Sequence, residues 1–148
     1  SLAIIDKLEL LDSLFDEVYI PKAVWREITQ DNTTIYYQRI VDYFKNKVKD
    51  IKGVNNLFFV MDYGESEAVI LYEEINADYL LIDDKKARNI AETLDIQCIG
   101  TIGILSIAKS KKMIDELKPL FKIFLQNKRY YSIKLLNAIL SKHNETQI

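Results

Sequence analysis

The chain has 148 residues, about half of them apolar, and a net charge of −2. That length suits a single domain, residues 1–148, with a sizeable core, and no apolar run approaches the ~20 residues that span a bilayer. One cysteine, Cys98, leaves no internal disulfide, which with the absence of a signal-peptide pattern suits a reducing, cytoplasmic setting.

Leu2 to Phe15 carries Leu2, Ile5, Leu8, Leu11 and Phe15 at helical spacing, which predicts an amphipathic helix. Val18–Ile20 reads as a short strand. Pro21 follows at the first turn of a helix to Thr29, where its missing N–H costs nothing, with Val24 and Ile28 facing inward. Thr33 to Lys49 predicts a longer helix through Ile40, Val41, Phe44 and Val48. Residues 53–56 read as a turn, Leu57–Val60 as a strand, and Gly64 opens a helix, Glu65–Ile75. Asp78–Ile82 is continuously apolar at its end, as a strand covered on both faces is. A helix at Lys85–Leu94, a strand at Ile96–Ile99 and a helix at Ile102–Ser110 follow. Beyond them, a C-terminal helical part at about 114–148 holds helices near Ile114–Gln126 and Tyr131–Ser141. Strands alternating with helices predict an α/β fold, a three-layer α/β/α arrangement on a mainly parallel sheet with extra C-terminal helices.

Charge is unevenly spread. Residues 1–108 carry 11 Lys/Arg against 19 Asp/Glu, whereas residues 109–148 carry 9 against 3. An acidic body can hold cations, and a basic C-terminal part can meet a polyanion, although solvated faces of ordinary helices give the same count.

In an open parallel sheet, ligands bind beyond the carboxyl ends of the strands. Asp83 and Asp84 directly follow the predicted strand Asp78–Ile82, Glu65 follows the one at Leu57–Val60, and Glu27 lies on the helix after Val18–Ile20. Three strand-to-helix units each aiming a carboxylate at one edge predict an oxygen-lined site for a hard divalent cation such as Mg²⁺. Each acid also has a plain structural role open to it: Asp83 or Asp84 as a helix cap, Glu65 in favour of its helix dipole, Glu27 as a solvated residue. His143 lies in a polar tail. No nucleophile elbow, phosphate loop, dinucleotide fingerprint or Cys/His cluster is present, which excludes the chemistries they carry.

Four segments resemble, in order, the PIN-domain proteins, and within them a prokaryotic predicted nucleic-acid-binding, PIN-like branch. They are Glu17–Val24 followed by Glu27, Gly64-Glu65-Ser66-Glu67-Ala68-Val69, Leu80-Leu81-Ile82-Asp83-Asp84-Lys85-Lys86-Ala87-Arg88, and Gly100-Thr101-Ile102-Gly103-Ile104-Leu105. The resemblance implies a parallel sheet between helices and Mg²⁺- or Mn²⁺-dependent cleavage of RNA, often as the toxin of a toxin–antitoxin pair. It implies that Glu27, Glu65 and Asp84, with Asp83 the adjacent alternative, hold the metal and act in catalysis. Lys85, Lys86 and Arg88 would meet the RNA backbone, and Thr101 sits near a position from which some members contact the site. The family's first acid lies on a strand before the first helix, and this chain begins at or near that helix. The expectation for the chain as given is therefore weaker metal binding, and a tendency to form homo-oligomers because a missing strand exposes edges.

Two rival functions accompany the nuclease. One is a catalytically inactive module that pairs with a small antitoxin-like protein or with itself. The other is a Mg²⁺ enzyme acting on small phosphate esters, which lacks the early aspartate nucleophile such enzymes use. Tyr130 and Tyr131 either stack on bases or pack against helices.

Overall fold

The computed structural model describes residues 1–148. In chain order the elements are α1 (Glu9–Leu14), β1 (Ile20–Pro21), α2 (Lys22–Thr29), α3 (Tyr37–Phe44), β2 (Val48–Lys49) and α4 (Tyr63–Glu74). They continue with β3 (Leu80–Leu81), α5 (Lys85–Thr93), β4 (Cys98–Ile99), α6 (Thr101–Ser110), α7 (Lys118–Gln126) and α8 (Ile133–Lys142). About half the residues are helical and every strand pairing is parallel, so the protein is of the α/β class. Two compact units divide the chain. One is Phe15–Ile99; the other joins Ser1–Leu14 to Gly100–Ile148.

The unit of residues 15–99 holds all four strands. β1 pairs with β2 in the register Ile20 to Val48, and β3 with β4 in the register Leu80 to Cys98. The two pairs are separate ladders. Parallel pairing needs a crossover, supplied by α2 and α3 in the first pair and by α5 in the second. α4 packs against α2, β1 and β3, with Gly64, Ser66, Val69 and Leu71 buried. The core of this unit gathers Met61, Val69, Leu80, Ile82, Ala87, Ala91 and Ile96. Alanines on α5 suit it, because a small side chain lets a helix approach closely.

The other unit is helical. Leu2, Ile5, Leu10, Leu11, Leu105, Leu117, Phe121, Phe124, Leu136 and Leu140 are buried in it. The unpaired amides at the start of α7 are met from far along the chain. Both Leu117 N–H and Lys118 N–H donate to the Glu145 carboxylate, at 2.8 and 2.9 Å, and Lys109 Nζ lies 3.2 Å from it. Ser106 and the C-cap residue His143 share a hydrogen bond of 2.9 Å.

Several expected elements change extent. The first helix shrinks to Glu9–Leu14, because Asp6 takes φ 54° and closes a turn in which Lys7 N–H donates to Leu2 O; aspartate tolerates that left-handed conformation better than most residues. The helix expected from Thr33 starts at Tyr37, since Asp31 Oδ1 accepts both the N–H and the hydroxyl of Thr33 and holds a turn. Val48 leaves that helix and becomes a strand residue opposite Ile20. Pro21 ends β1 in extended conformation and caps α2 rather than entering it. The segment Leu57–Val60 is a turn, not a strand: Leu57 O accepts the N–H groups of both Val60 and Met61. Leu81, expected to be covered on both faces, is exposed. α7 begins at Lys118, not Ile114, because α6 ends in a turn with Lys112 at φ 59° and the chain runs irregularly to Leu117.

Candidate functional site

The start of α4 organises the acids of the strand-bearing unit. Asp62, in extended conformation, caps the helix: its Oδ1 accepts Glu65 N–H at 2.9 Å. One of the orphan donors at this helix start is thus satisfied by the N-cap side chain. From α2, Glu27 reaches across and accepts Gly64 N–H at 3.2 Å. The approach is so close that a Cβ on Gly64 would lie 2.5 Å from Glu27 Oε2. Any side chain on Gly64 would have to displace the Glu27 carboxylate, the movable end of a flexible side chain. Glu67, one turn further along α4, lies close enough to accept Ala23 N–H at the start of α2, so α2 and α4 each place a carboxylate at the other's N-terminus.

Asp84 caps α5, with Oδ1 accepting Ala87 N–H at 2.8 Å. Asp asks for that place because its short side chain returns to the N–H three residues on. A cavity of about 320 Å³ opens between the two capped helices, with Phe59, Val60, Asp62, Glu65, Asp84 and Lys86 among its lining. Asp83 is exposed and does not line it. Lys85 is exposed at the first position of α5. Arg88 turns back to the end of β3, where its Nη2 donates to Ile82 O at 2.8 Å and its buried Nε has no partner. Thr101 is buried at the start of α6 in the other unit. There too, Tyr131 packs its ring 5.2 Å from that of Phe124, while Tyr130 is fully in solvent.

The electrostatics single out two of the acids. Partial burial raises the Glu65 carboxyl above the usual carboxylate range, and the charges of Asp62, Asp84 and Glu27 raise it further, opposed by Asp62 N–H. Partial burial likewise raises Glu27, helped by Asp62 and Glu67 and opposed by Gly64 N–H. Glu65 therefore feels Asp62, Asp84 and Glu27 as like charges, and Glu27 feels Asp62 and Glu67. A cation at the cavity would relieve them. No three carboxylate, histidine or cysteine side chains converge as a ready-made cage. An all-oxygen donor set of one or two carboxylates beside open space nevertheless fits Mg²⁺-type ions, which keep several waters and share their remaining positions with substrate phosphate.

Asp62 is the site residue that sequence reasoning missed. Its signal was present: Asp62-Tyr63-Gly64-Glu65 is an Asp-x-x-Glu capping pattern ahead of an apolar run. A strand expected at 57–60 and a helix expected from Gly64 left Asp62 between them without a role. Cys98 is half-buried, its thiol pushed up by burial and by the charge of Glu92, which makes it a packing residue rather than a nucleophile.

No helix is long and apolar enough to cross a membrane. A family model described as DUF3368, a PIN domain, matches residues 1–145. No curated protein and no solved structure matches the chain.

Proposed function

The chain belongs to the PIN-domain family, a nuclease-type fold, and on that premise we propose that it is a metal-dependent ribonuclease acting as the toxin of a toxin–antitoxin pair. The observation that carries the reading is the cavity that Glu65, raised by partial burial and then by its neighbours' charges, lines together with Asp84 and Asp62. Glu65 and Asp84 would hold Mg²⁺ or Mn²⁺, with Asp62 beside them in the lining and Glu27 and Asp83 outside it. When bound, such an ion supplies a water of lowered pKa and offsets charge on the scissile phosphate.

The chain's own residues do the rest. The two capping bonds fix Asp62 and Asp84 so that neither carboxylate has to be ordered when substrate arrives. Gly64 N–H holds Glu27, whose charge adds to those that raise Glu65. Lys86 in the lining and Lys85 beside it place cations for the RNA backbone. Arg88 is committed to Ile82 O through one nitrogen, so its part is to brace the loop that carries Asp83 and Asp84.

A second reading is favoured by one observation: Asp62 and Asp84 cap helices and Glu27 is tied to Gly64, so each has a structural role sufficient to explain it. On that reading the protein is an inactive module that pairs with a small antitoxin-like protein or with a second copy of itself. Incubating an end-labelled mixed RNA pool with the protein in Mn²⁺, in EDTA and as the Asp84→Asn variant separates the two. Asparagine is as good a cap as aspartate, so the variant keeps α5 and loses only the charge. Cleavage in Mn²⁺ that EDTA and Asp84→Asn both abolish is the expected result. Intact RNA in every lane overturns the nuclease and leaves the pairing module.

A further inference from the structure

Beside the carboxylates the cavity is lined by Phe59, which belongs to an exposed aromatic group with Phe58 and Tyr63 outside the lining. Phe58, Phe59 and Tyr63 are 41%, 81% and 61% exposed, although Leu57 and Met61 on either side of the phenylalanines pack into or against the core. The turn that presents them is tied down, not loose. Leu57 O accepts the N–H groups of Val60 and Met61 at 3.0 and 3.1 Å, and Asn55 Oδ1 accepts Leu57 N–H at 3.1 Å. The rings are also ordered against each other. Phe58 and Phe59 lie 4.0 Å apart between centroids at 32°, and Phe58 is parallel to Tyr63 at 5.8 Å. Phe59 thus has the Phe58 ring against it and most of its own surface in water, and it lines the same cavity as Glu65, Asp84 and Lys86.

We propose that Phe59 is a base-stacking residue, and that the ligand it selects is a single-stranded nucleic acid with one unstacked base on the Phe59 ring and the adjoining phosphate in the cavity beside Lys86. This deepens, and rests on, the nuclease reading. An exposed apolar patch by itself marks only a contact surface. Here three features share one cavity: a free aromatic ring, a lysine, and carboxylates suited to a cation. A nucleotide uses all three, through its base, its phosphate charge and its phosphate oxygens, whereas an apolar side chain of a protein partner uses only the first. Stacking is tolerant of base identity, because every base has a π-face. Paired bases keep that face covered, so the ring selects unpaired segments such as loops and ends.

The test is binding to the whole chain carrying Glu65→Gln, which removes a charge from the cavity and leaves every ring in place. The probe is a short RNA with 2-aminopurine at one internal position, in Mn²⁺, beside the same sequence as DNA and as a duplex. The single strand should bind tighter than the duplex, and its fluorescence should fall as the base stacks. Adding Phe59→Ala should weaken binding by about five- to 150-fold, the range for loss of one base–aromatic stack, and remove the quench. Phe59→Trp should keep both, and Phe59→Leu should behave as alanine does. Full-strength, quenched binding by Phe59→Ala overturns the proposal. So does full-strength binding by Phe59→Leu, which would make the patch a general apolar contact of the kind a protein partner uses. Wild-type cleavage of RNA with no quench at any position overturns the stacking residue and leaves the nuclease standing. A quench lost in Phe59→Ala with no cleavage by the wild type does the reverse.

Discussion

At the residue scale, Glu65 is where structure and site pull against each other. Its carboxyl is raised above the usual range by partial burial and then by Asp62, Asp84 and Glu27. The folded state therefore holds its proton to higher pH than the unfolded chain does. Stability from this group is fully present below the ordinary glutamate value and is lost as pH rises through the raised folded value. At neutral pH the repulsion is complete, so Glu65→Gln should raise the melting midpoint slightly, by about 1–2 °C for a chain of this size, and the difference from wild type should shrink as pH falls into the raised window. Paired thermal melts from neutral to mildly acidic pH check this. A midpoint lowered at neutral pH would mean that the helix start needs the Glu65 charge more than the acids repel it. Stability given up in this way is common where a site holds like charges for a ligand.

At the scale of elements, both helix ends with a bearing on function are built by capping. Asp62 and Asp84 each return to the N–H three residues on, which places their carboxylates at the mouth of the cavity as a by-product of starting a helix. α7 solves the same problem differently. Leu117 offers no side-chain acceptor, and Glu145, more than twenty residues downstream, does the work. Burial would raise the Glu145 carboxyl, but the bonds from Leu117 and Lys118 N–H and from Lys109 hold it below its usual range. Its contribution is present above the ordinary glutamate value and is lost as pH falls through the depressed one. Glu145→Ala should cost about 1 kcal/mol, the ordinary worth of a lost cap. Hydrogen exchange would show it as faster exchange at Leu117 and Lys118 with little change at Glu65 and Ala87. Equal acceleration at all four amides would sink the idea of a local cap.

At the scale of the whole molecule, acidic residues predominate through residues 1–108 and basic ones beyond. The acid cavity lies in the strand-bearing unit. A cation that binds only the folded protein stabilises it by mass action, about 1.4 kcal/mol at ten times its dissociation constant. For the proposed site, saturating Mn²⁺ should therefore raise the wild-type melting midpoint by about 3–5 °C, reversibly with EDTA, and should raise that of Glu65→Gln by less than half as much. An equal rise in both proteins would place the ion elsewhere.

The helices α4, α5 and α6 could be read nearly to their ends from sequence, because each starts at a local signal: Gly64 in the first turn of α4, Asp84 as the cap of α5, Gly100 before Thr101. The parallel pairing of short strands was legible from the alternation of elements, and the place of Asp84 at a helix start from the strand before it, whereas Glu65 was placed by a strand that proved to be a turn. Local chemistry sufficed because capping and periodicity act within a few residues. The sequence alone did not show that Leu57–Val60 turns outward, leaving Phe59 in water, since four apolar residues in a row suit a buried strand as well as an exposed turn. Nor did it show that Glu27 accepts Gly64 N–H, or that Glu145 caps α7. Each of these depends on atoms far apart in the chain, and only tertiary packing brings a carboxylate to an amide tens of residues away.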